Sequence, residues 1–477
     1  MTAAPFTPDS QALPPPWSEP FVPPLSERIG AVGRTVVVLD DDPTGTQTVH
    51  DVPVLTRWDV PSIAAELAAG PPALYLLTNS RALDPVRAAE VNFRTGWQVR
   101  TAAQRTGRAV AVVSRGDSTL RGHFPSETLA LAEGLGGAVD GVLLVPAFLE
   151  GGRVTIDGRH WVADGDRWLP VGETPYARDA TFGFTSSDLP DWVAERSAGR
   201  IRREEVGVLA LADLRRGGPA VVADRLAGLR GGAVCVCDAL ALADLEVLVA
   251  GALAAEAAGV RLLYRTAASF VPVRAGIAPR GLLTATEVGT GRRGGPGGLV
   301  VVGSHVPATT AQLTRLLASD TVLGVQTDAA ALAGEGREAD AEVDRVAGIV
   351  GAALGSGRDT VVYTSRAVLT APSADETLQR SVRVSAGLVR IVARLPVRPA
   401  YVVGKGGITA SDVATTGLGI VRAEVLGQIR PGVPVWRAGP DSRFPGLTYV
   451  VFPGNVGSAE DLLAVVRRLG AVEQQDG

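Results

Sequence analysis

The chain has 477 residues, of which 46% are hydrophobic and 20% are charged, and its formal net charge is −4. This composition is typical of a globular protein with enough sequence for two domains, and the small net charge argues against a general binder of nucleic acid. Its two cysteines, Cys235 and Cys237, exclude a disulfide framework and alternate along an apolar run that predicts a buried strand. No apolar run approaches the roughly 20 residues that span a bilayer, and no signal peptide opens the sequence, so we expect a cytoplasmic protein without membrane partners.

The chain divides by pattern into four segments. Residues 1–33 are rich in proline and lack periodicity, which predicts a flexible arm. Apolar β-rich runs alternate with helical segments over residues 34–275, and again over residues 299–477, on either side of a glycine-rich linker at 276–298. This alternation predicts the α/β class, with two domains that each contain a mainly parallel sheet flanked by helices. We expect the active site in the cleft between these domains.

The predicted strands are short apolar runs at residues 35–39, 73–78, 109–114, 141–146, 206–209, 233–237, 261–264, 299–302, 321–325, 360–363, 400–403 and 449–452. The predicted helices include residues 84–105, 220–229, 308–318, 339–354, 375–393, 411–416 and 458–469. The linker contains a formal G-x-G-x-x-G match at residues 289–294. A proline and a strand follow this match where a dinucleotide site requires a helix, so we do not interpret it as one.

Three consecutive carboxylates, Asp40, Asp41 and Asp42, follow the first predicted strand. Ligands of open α/β sheets bind beyond the carboxyl ends of the strands, so these side chains are candidates to face a ligand. One of them would orient or deprotonate a hydroxyl group, and we favour Asp41 as the catalytic residue, with Asp42 as the second choice. The alternative is a turn in which the carboxylates cap backbone amides.

A second polar run, residues 114–123, follows the strand at 109–114. Its candidate substrate-binding residues are Arg115, Asp117, Ser118, Arg121 and His123. Arginine binds carboxylates through paired hydrogen bonds, and Asp and Ser side chains suit the hydroxyl groups of a sugar. We therefore expect a pocket for a small hydroxylated acid whose carboxylate is bound by Arg115, with Arg121 as a further candidate. A surface loop with solvated charges is the alternative.

In the second domain, three glycine-containing turns each connect a strand to a helix, at residues 303–309, 403–412 and 453–458. Glycines let backbone amides approach a phosphate, and a helix N-terminus favours an anion. Lys405, which lies in the sequence Gly404-Lys405-Gly406-Gly407, is the only lysine of the chain. It would add a compact positive charge to a nucleotide phosphate site. The alternatives are ordinary α/β loops and a lysine that persists by chance.

Taken together, several motifs resemble the four-carbon acid sugar kinase family, and the resemblance covers most of the chain from about residue 34 to 470. The motifs are residues 40–54, 78–81, 114–123, 151–155, 174–184, 404–412 and 453–457. The resemblance implies an N-terminal sugar-acid-binding domain and a C-terminal ATP-binding domain. It also implies phosphorylation of threonate, erythronate or an oxo-tetronate by ATP with Mg²⁺.

Carried over motif by motif, the resemblance places the ATP contacts at Ser304, Gly406, Gly407, Thr409 and Gly454, beside Gly404 and Lys405. It places the substrate contacts near Asp41, Arg115, Asp117 and Ser118. Better-known members resemble Asp-Asp-Phe-Thr-Gly-Ala at the first loop, whereas this chain has Asp-Asp-Pro-Thr-Gly-Thr at residues 41–46. This difference indicates a divergent branch.

Two other functions are compatible with two α/β domains. One is a nicotinamide-dependent hydroxyacid dehydrogenase, which requires a G-x-G-x-x-G motif after a strand. The other is a non-catalytic sugar-acid-binding protein. For the kinase, we expect a small-molecule sugar acid as partner and neither nucleic acid nor membrane. A homodimer is an assembly open to the protein.

Overall fold

The computed structural model describes residues 13–289, 295–365 and 374–471. The chain forms two compact units. Unit 1 comprises Met1–Pro53 and Arg57–Pro279, and unit 2 comprises Val54–Thr56 and Arg280–Gly477. The expected position of the active site between the two units stays a prediction.

The strands up to residue 279 are β1 (Thr35–Asp40), β2 (Val52–Leu55), β3 (Ala73–Leu77), β4 (Val110–Arg115), β5 (Gly141–Val145), β6 (Arg153–Ile156), β7 (Arg159–Asp164), β8 (Arg167–Pro170), β9 (Gly207–Leu209), β10 (Ala233–Cys237) and β11 (Leu262–Thr266). The helices of the same part of the chain are α1 (Leu25–Val32), α2 (Val60–Ala69), α3 (Pro85–Thr106), α4 (Ser126–Gly134), α5 (Leu189–Arg196), α6 (Gly218–Ala227), α7 (Leu242–Ala257) and α8 (Phe270–Ala275).

The main sheet of unit 1 has the strand order β3-β1-β4-β11-β5-β10-β9, and all its neighbouring strands are parallel. β1 and β5 are buried along their whole length, as their continuous apolar runs predict for a sheet covered on both faces. The chain leaves β1 for β3 on one side and later returns to β4 on the other. The carboxyl end of β1 is therefore a topological switch point, where open α/β sheets bind ligands.

The longest helix of unit 1 shows how local sequence sets the element boundaries. The side chain of Asp84 caps the start of α3 by accepting hydrogen bonds from the amides of Val86 and Arg87, and Gly107 ends the helix in the left-handed conformation. α3 packs closely on α4 through glycines. A Cβ atom on Gly134 would lie 2.1 Å from the carbonyl oxygen of Phe93, so a larger residue would separate the two helices.

The strands of unit 2 are β12 (Leu299–Val302), β13 (Leu323–Thr327), β14 (Thr360–Thr364), β15 (Tyr401–Lys405), β16 (Arg422–Arg430), β17 (Val433–Ala438) and β18 (Thr448–Phe452). Its helices are α9 (Ala285–Val288), α10 (Pro307–Leu317), α11 (Ala329–Ala333), α12 (Arg337–Gly355), α13 (Ala374–Ala393), α14 (Gly407–Asp412) and α15 (Asp461–Gly470).

In the sheet of unit 2, β13-β14-β12-β15-β18 are parallel, and β17 and β16 continue the sheet as antiparallel strands. The apolar face of α15 packs over this sheet in a core that includes Tyr401, Val450 and Phe452. β12 is flanked by β14 on one side and by β15 on the other. Its carboxyl end is therefore a second switch point.

The α/β class with mainly parallel sheets is confirmed, and each predicted strand overlaps an observed one. The part of the predicted arm that the structure describes contains α1, and the carbonyl of Pro14 accepts a hydrogen bond of 2.9 Å from Arg215. Residues 1–12 of the arm, and 290–294 of the linker with its rejected glycine motif, lie outside the described residues.

Cys235 and Cys237 are both buried and unpaired in β10. Within the described ranges no helix has both the length and the apolar character needed to cross a bilayer.

The antiparallel strands were not predicted from the sequence. A separate three-stranded sheet, β6-β7-β8, occupies the region after β5, where no strand was predicted. The turn signals were present, because Asp157-Gly158 joins β6 to β7 with both residues at positive φ, which is the conformation of a tight hairpin turn. Likewise, Pro431-Gly432 separates the alternating runs of β16 and β17.

Candidate functional site

The loop after β1 places its carboxylates against arginines from neighbouring strands. Arg81, which follows β3, forms a two-point ion pair with Asp41, with N···O distances of 2.5 Å and 3.2 Å. Its third nitrogen lies 3.2 Å from Oδ2 of Asp42. The repulsion expected among consecutive carboxylates is therefore offset by a guanidinium group.

The three carboxylates differ in exposure and in pKa. Asp40 and Asp41 are buried, whereas the Asp42 side chain is 22% exposed. Burial opposes ionisation of Asp42, but Arg81 and hydrogen bonds from Thr44 outweigh it, so the pKa of Asp42 is lowered. Asp42 also accepts a hydrogen bond of 2.9 Å from the amide of Thr44, so it caps the turn, as the alternative interpretation expected.

Asp40 lies beneath this loop and pairs with Arg115, with 3.4 Å between Oδ1 and Nη1. Burial raises the pKa of Asp40 to about 7, against the effect of Arg115. Gly45 passes directly over the carboxylate, since a Cβ atom there would lie 1.8 Å from Oδ2 of Asp40. Only glycine fits at this point. Within the described part of the chain, Oδ2 of Asp40, Nε of Arg115 and Oη of Tyr75 are buried without a hydrogen-bond partner.

The loop after β4 forms a second group of charges. Arg121 pairs with Asp117 at 2.8 Å and lies 3.8 Å from Asp179, and its guanidinium stacks over the ring of Tyr176. Burial opposes ionisation of Asp117, but Arg81 and Arg121 lower its pKa below the ordinary range. Because Arg81 acts on Asp117 as well as on Asp41 and Asp42, the loops after β1, β3 and β4 form one electrostatic cluster.

The predicted substrate ligands of this loop differ in accessibility. The side chain of Arg121 is 25% exposed and that of Arg81 is 18% exposed, whereas that of Arg115 is only 6% exposed. His123 is also buried, with Nε2 2.9 Å from the carbonyl oxygen of Leu83 and its ring against Phe182. Arg115 and His123 therefore lie below the surface that Arg81 and Arg121 form.

Ser118 is partly exposed, and its carbonyl oxygen lies 2.8 Å from Nε2 of the buried His160. Burial lowers the pKa of His160 to about 4, so this imidazole is neutral at neutral pH and donates to the carbonyl. Thr155 lies 2.9 Å from the other ring nitrogen. His160 thus fixes the backbone at Ser118 from below.

Arg265 and Glu127 are buried beside the site and were not identified from the sequence. Arg265, at the end of β11, pairs with Glu127 at 3.1 Å, donates to Ser114 at 2.8 Å and lies 4.0 Å from Asp41. Ser80 donates to the other oxygen of Glu127 at 2.5 Å. Arg265 lies at the carboxyl end of β11, at the same sheet edge, and that position was the available signal. Arg81 belongs to a motif that was noted, but its role as the bridge was not predicted.

In unit 2, the turns after β12, β15 and β18 come together because these strands are adjacent and parallel. A Cβ atom on Gly406 would lie 2.8 Å from Cβ of Ser304, and one on Gly454 would lie 3.2 Å from Oγ of Ser304. Thr309, in the first turn of α10, donates a hydrogen bond of 2.8 Å to the carbonyl oxygen of Gly454. The second switch point, where the sequence predicted a phosphate site, therefore brings together Ser304, Gly406 and Gly454.

The other residues predicted for this site are placed differently. Gly407 is partly exposed, whereas Thr409 is buried so close to the neighbouring turn that a Cβ atom on Gly303 would lie 2.4 Å from its Oγ1. Gly404 leaves room for Tyr449, whose Oη would be 2.3 Å from a Cβ atom at that position. Gly404 is therefore explained by packing within the fold.

Lys405 does not face the solvent as an exposed positive charge. Its side chain is fully buried, and Nζ lies 2.5 Å from the carbonyl oxygen of Pro453 and 3.2 Å from that of Gly454. Burial lowers its pKa to about 7. The ammonium is therefore directed at two backbone carbonyls of the neighbouring turn, and the expected direct contact with a phosphate stays a prediction.

No group of three or more His, Cys, Asp and Glu side chains in the described ranges is arranged to hold a metal ion. We therefore assign no protein ligand to Mg²⁺.

Comparison with known families assigns both units. Residues 36–274 match the model of a sugar-binding N-terminal domain, and residues 299–462 match that of a nucleotide-binding C-terminal domain. The chain belongs to the four-carbon acid sugar kinase family. Unit 1 therefore contains the sugar-binding domain of this family, and unit 2 contains its nucleotide-binding domain.

Solved structures support the same fold. A Haemophilus influenzae protein of the family DUF1537 is 18% identical over 91% of this chain and 100% of its own length, with a TM-score of 0.60. A Salmonella typhimurium LT2 protein provisionally named a tRNA synthase is 18% identical over 92% of this chain and 100% of its own, with a TM-score of 0.66. At these identities the likeness concerns the fold alone. No curated protein matches the sequence.

Proposed function

We propose that this member of the four-carbon acid sugar kinase family transfers the γ-phosphoryl group of ATP to a hydroxyl group of a four-carbon sugar acid, which is threonate, erythronate or an oxo-tetronate. The observation that carries the proposal is the presence, in one chain, of a sugar-binding and a nucleotide-binding family domain. In each domain, polar or glycine-rich turns gather at the switch point of the sheet.

In the proposed site of unit 1, Arg121 binds the carboxylate of the acid. Its exposure supports this assignment over Arg115, which is buried and paired with Asp40. Asp117 and Ser118 lie on the same loop and are partly exposed, so they are placed to bind the hydroxyl groups of the substrate. Arg115 and His123 then support the loops from below.

Asp42 is our candidate for the residue that orients the acceptor hydroxyl. It is more exposed than Asp41, whose two oxygens are both held by Arg81. The lowered pKa of Asp42 makes it a weak base, but phosphoryl transfer depends mainly on positioning and charge stabilisation. In the proposed step the acceptor oxygen bonds to the γ-phosphorus, the bond to the β-phosphate oxygen of ATP breaks, and the hydroxyl proton leaves to Asp42 or to water.

In unit 2, the amides of the turns at Ser304, Gly406 and Gly454 bind the phosphates of ATP in our proposal. Glycine at positions 406 and 454 allows these close approaches, and Gly407 and Thr409 complete the turn. Mg²⁺ in phosphoryl-transfer sites is bound largely by phosphate oxygens and water. We therefore treat the magnesium complex of ATP as the nucleotide substrate.

The test is an ADP-release assay with ATP and Mg²⁺ against threonate, erythronate and their oxo-acids, in both stereochemical series. We expect ADP to form in proportion to a phosphorylated acid for at least one of them. Binding of an acid and of ATP without turnover would favour a sugar-acid-binding protein. Binding of NADH with no binding of ATP would favour the dehydrogenase, although the described residues offer no glycine motif that follows a strand and begins a helix in the required pattern.

A further inference from the structure

The fully buried Lys405 is the most unusual charged group of unit 2. Lysine is almost never fully buried unless it is paired with an acid. Here the groups that face Nζ are the carbonyl oxygens of Pro453 and Gly454 and the ring of Phe452, whose centroid lies 4.1 Å away. In the described part of the chain no carboxylate contributes to its electrostatics, so burial alone shifts its pKa.

The two carbonyl groups belong to the turn that follows β18, which we call the 453–454 turn. The opposite side of this turn faces the proposed nucleotide site, since a Cβ atom on Gly454 would lie 3.2 Å from Oγ of Ser304 and 3.9 Å from Cα of Gly406. Thr309 donates to the same carbonyl of Gly454 that Lys405 contacts. Lys405 and Thr309 together therefore fix the position of Gly454 relative to Ser304.

We propose that Lys405 is a positioning residue whose ammonium group holds the 453–454 turn in the conformation that binds the nucleotide phosphates. Nucleotide affinity then depends on the protonation of this amine. The inference rests on the proposed function of unit 2 and replaces direct contact between Lys405 and phosphate by action through the turn.

The chemistry of the contacts supports this role. Charged donors form stronger hydrogen bonds than neutral ones, so the turn is held most firmly when Lys405 carries its proton. Since burial lowers its pKa to about 7, the amine loses its charge as the pH rises through neutrality. Coupling between two equilibria is reciprocal, so nucleotide binding must in turn raise the pKa of Lys405.

The first experiment uses the full chain and its single lysine. Protein labelled with ¹³C at Cε of lysine gives one lysine resonance, whose shift is followed from pH 5.5 to 9 with and without saturating ADP and Mg²⁺. Calorimetry under the same conditions measures ADP binding. We expect a midpoint near 7 without nucleotide and a rise of about one pH unit with it. An unchanged midpoint in protein that binds ADP would overturn the inference while leaving the proposed function intact. Failure of ADP and of ATP to bind at any pH would overturn both.

The second experiment separates Lys405 from other groups that titrate. If the neutral form binds ADP about tenfold more weakly than the protonated form, ADP affinity in the wild type falls about fivefold from pH 6 to pH 8. Lys405→Met should bind ADP about tenfold more weakly than the wild type at pH 6, and equally weakly at both pH values. The control is Tyr449→Phe, which removes a buried hydrogen bond of 2.5 Å to Ala410 from a hydroxyl that does not titrate in this range. It should keep the pH dependence. A pH dependence retained in Lys405→Met would assign it to another group and contradict the inference.

Discussion

The carboxylate of Asp40 and the guanidinium of Arg115 lie 3.4 Å apart, and both are buried beneath the loops that follow β1 and β4. These two residues were candidates for a ligand site because of their positions at strand ends. Both side chains are buried, however, whereas those of Asp42 and Arg121 are more exposed. We therefore interpret Asp40 and Arg115 as structural residues beneath the candidate site. This relationship separates the residues that we expect to affect stability from those that we expect to affect catalysis.

The first prediction concerns Asp40 and pH. Its pKa is raised to about 7 in the folded protein, whereas an unfolded chain has an aspartate pKa of about 3.9. Between about pH 3.9 and pH 7 the Asp40 side chain is protonated in the folded state and ionised in the unfolded state. The free energy of unfolding that Asp40 contributes is therefore lost as the pH rises to about 7. Asp40→Asn stays neutral. The free energy of unfolding of Asp40→Asn, measured in denaturant relative to that of the wild type, should therefore increase from pH 5 to pH 8.

A suitable control for this measurement is Asp140→Asn. Hydrogen bonds from the side chain and backbone of Arg261 lower the pKa of Asp140 to about 2, so its charge is constant over this range. Its difference from the wild type should not change between pH 5 and pH 8. The same constant difference in Asp40→Asn would show that Asp40 is ionised throughout, contrary to our expectation.

The second prediction separates the two arginines. Arg121→Ala should weaken binding of the acid by about 1.5–3 kcal/mol, the scale of a charged hydrogen bond, with little change in melting temperature. Arg115→Ala should lower the melting temperature because it removes the counter-charge of a buried carboxylate. Calorimetry and thermal unfolding measure the two effects. Normal acid affinity in Arg121→Ala, with lost affinity in a folded Arg115→Ala, would return the carboxylate to Arg115.

The third prediction separates the two catalytic candidates. Asp42→Asn should lower kcat and kcat/KM together by about 10²–10⁴-fold, because a residue that orients the acceptor acts mainly in the transition state. Asp41→Asn should lower the melting temperature, since Arg81 and Arg265 lose part of their counter-charge. Single-turnover phosphorylation at saturating ATP and acid gives the comparison. If Asp42→Asn keeps a normal rate and a folded Asp41→Asn does not, Asp41 is the catalytic residue.

The fourth prediction tests the glycine turns. Gly406 has a φ of +114° and faces Ser304, so Gly406→Ala should displace the turn and weaken ADP binding by about tenfold, the equivalent of 1–2 kcal/mol of strain. The matched control is Gly419→Ala, which also has a positive φ but no atom near its added Cβ. It should bind ADP normally. Equal losses in both variants would indicate a general effect on unit 2, and the assignment of Gly406 to the site would be wrong.

The positions of most strands could be predicted from the pattern of apolar residues alone. The β1 and β15 runs, and the rule that ligands bind at the carboxyl ends of strands, were sufficient to predict which polar and glycine-rich loops lie at the carboxyl edges of the sheets. Sequence could not predict which of several adjacent carboxylates faces inward. That depends on partners such as Arg81 and Arg265, which are distant in sequence from Asp41 and reach it only in the folded sheet. The burial of Lys405 could not be predicted for the same reason, because the two residues that it contacts lie 48 and 49 positions further along the chain.

The single buried lysine also determines how the protein responds to reagents that modify amines. Because the chain has no other lysine, acylating and cross-linking reagents find no exposed lysine side chain on the folded protein. We expect Lys405 to react only in molecules in which the structure around Nζ has opened. The rate of its acylation should then report this local opening, in the way that hydrogen exchange reports local unfolding.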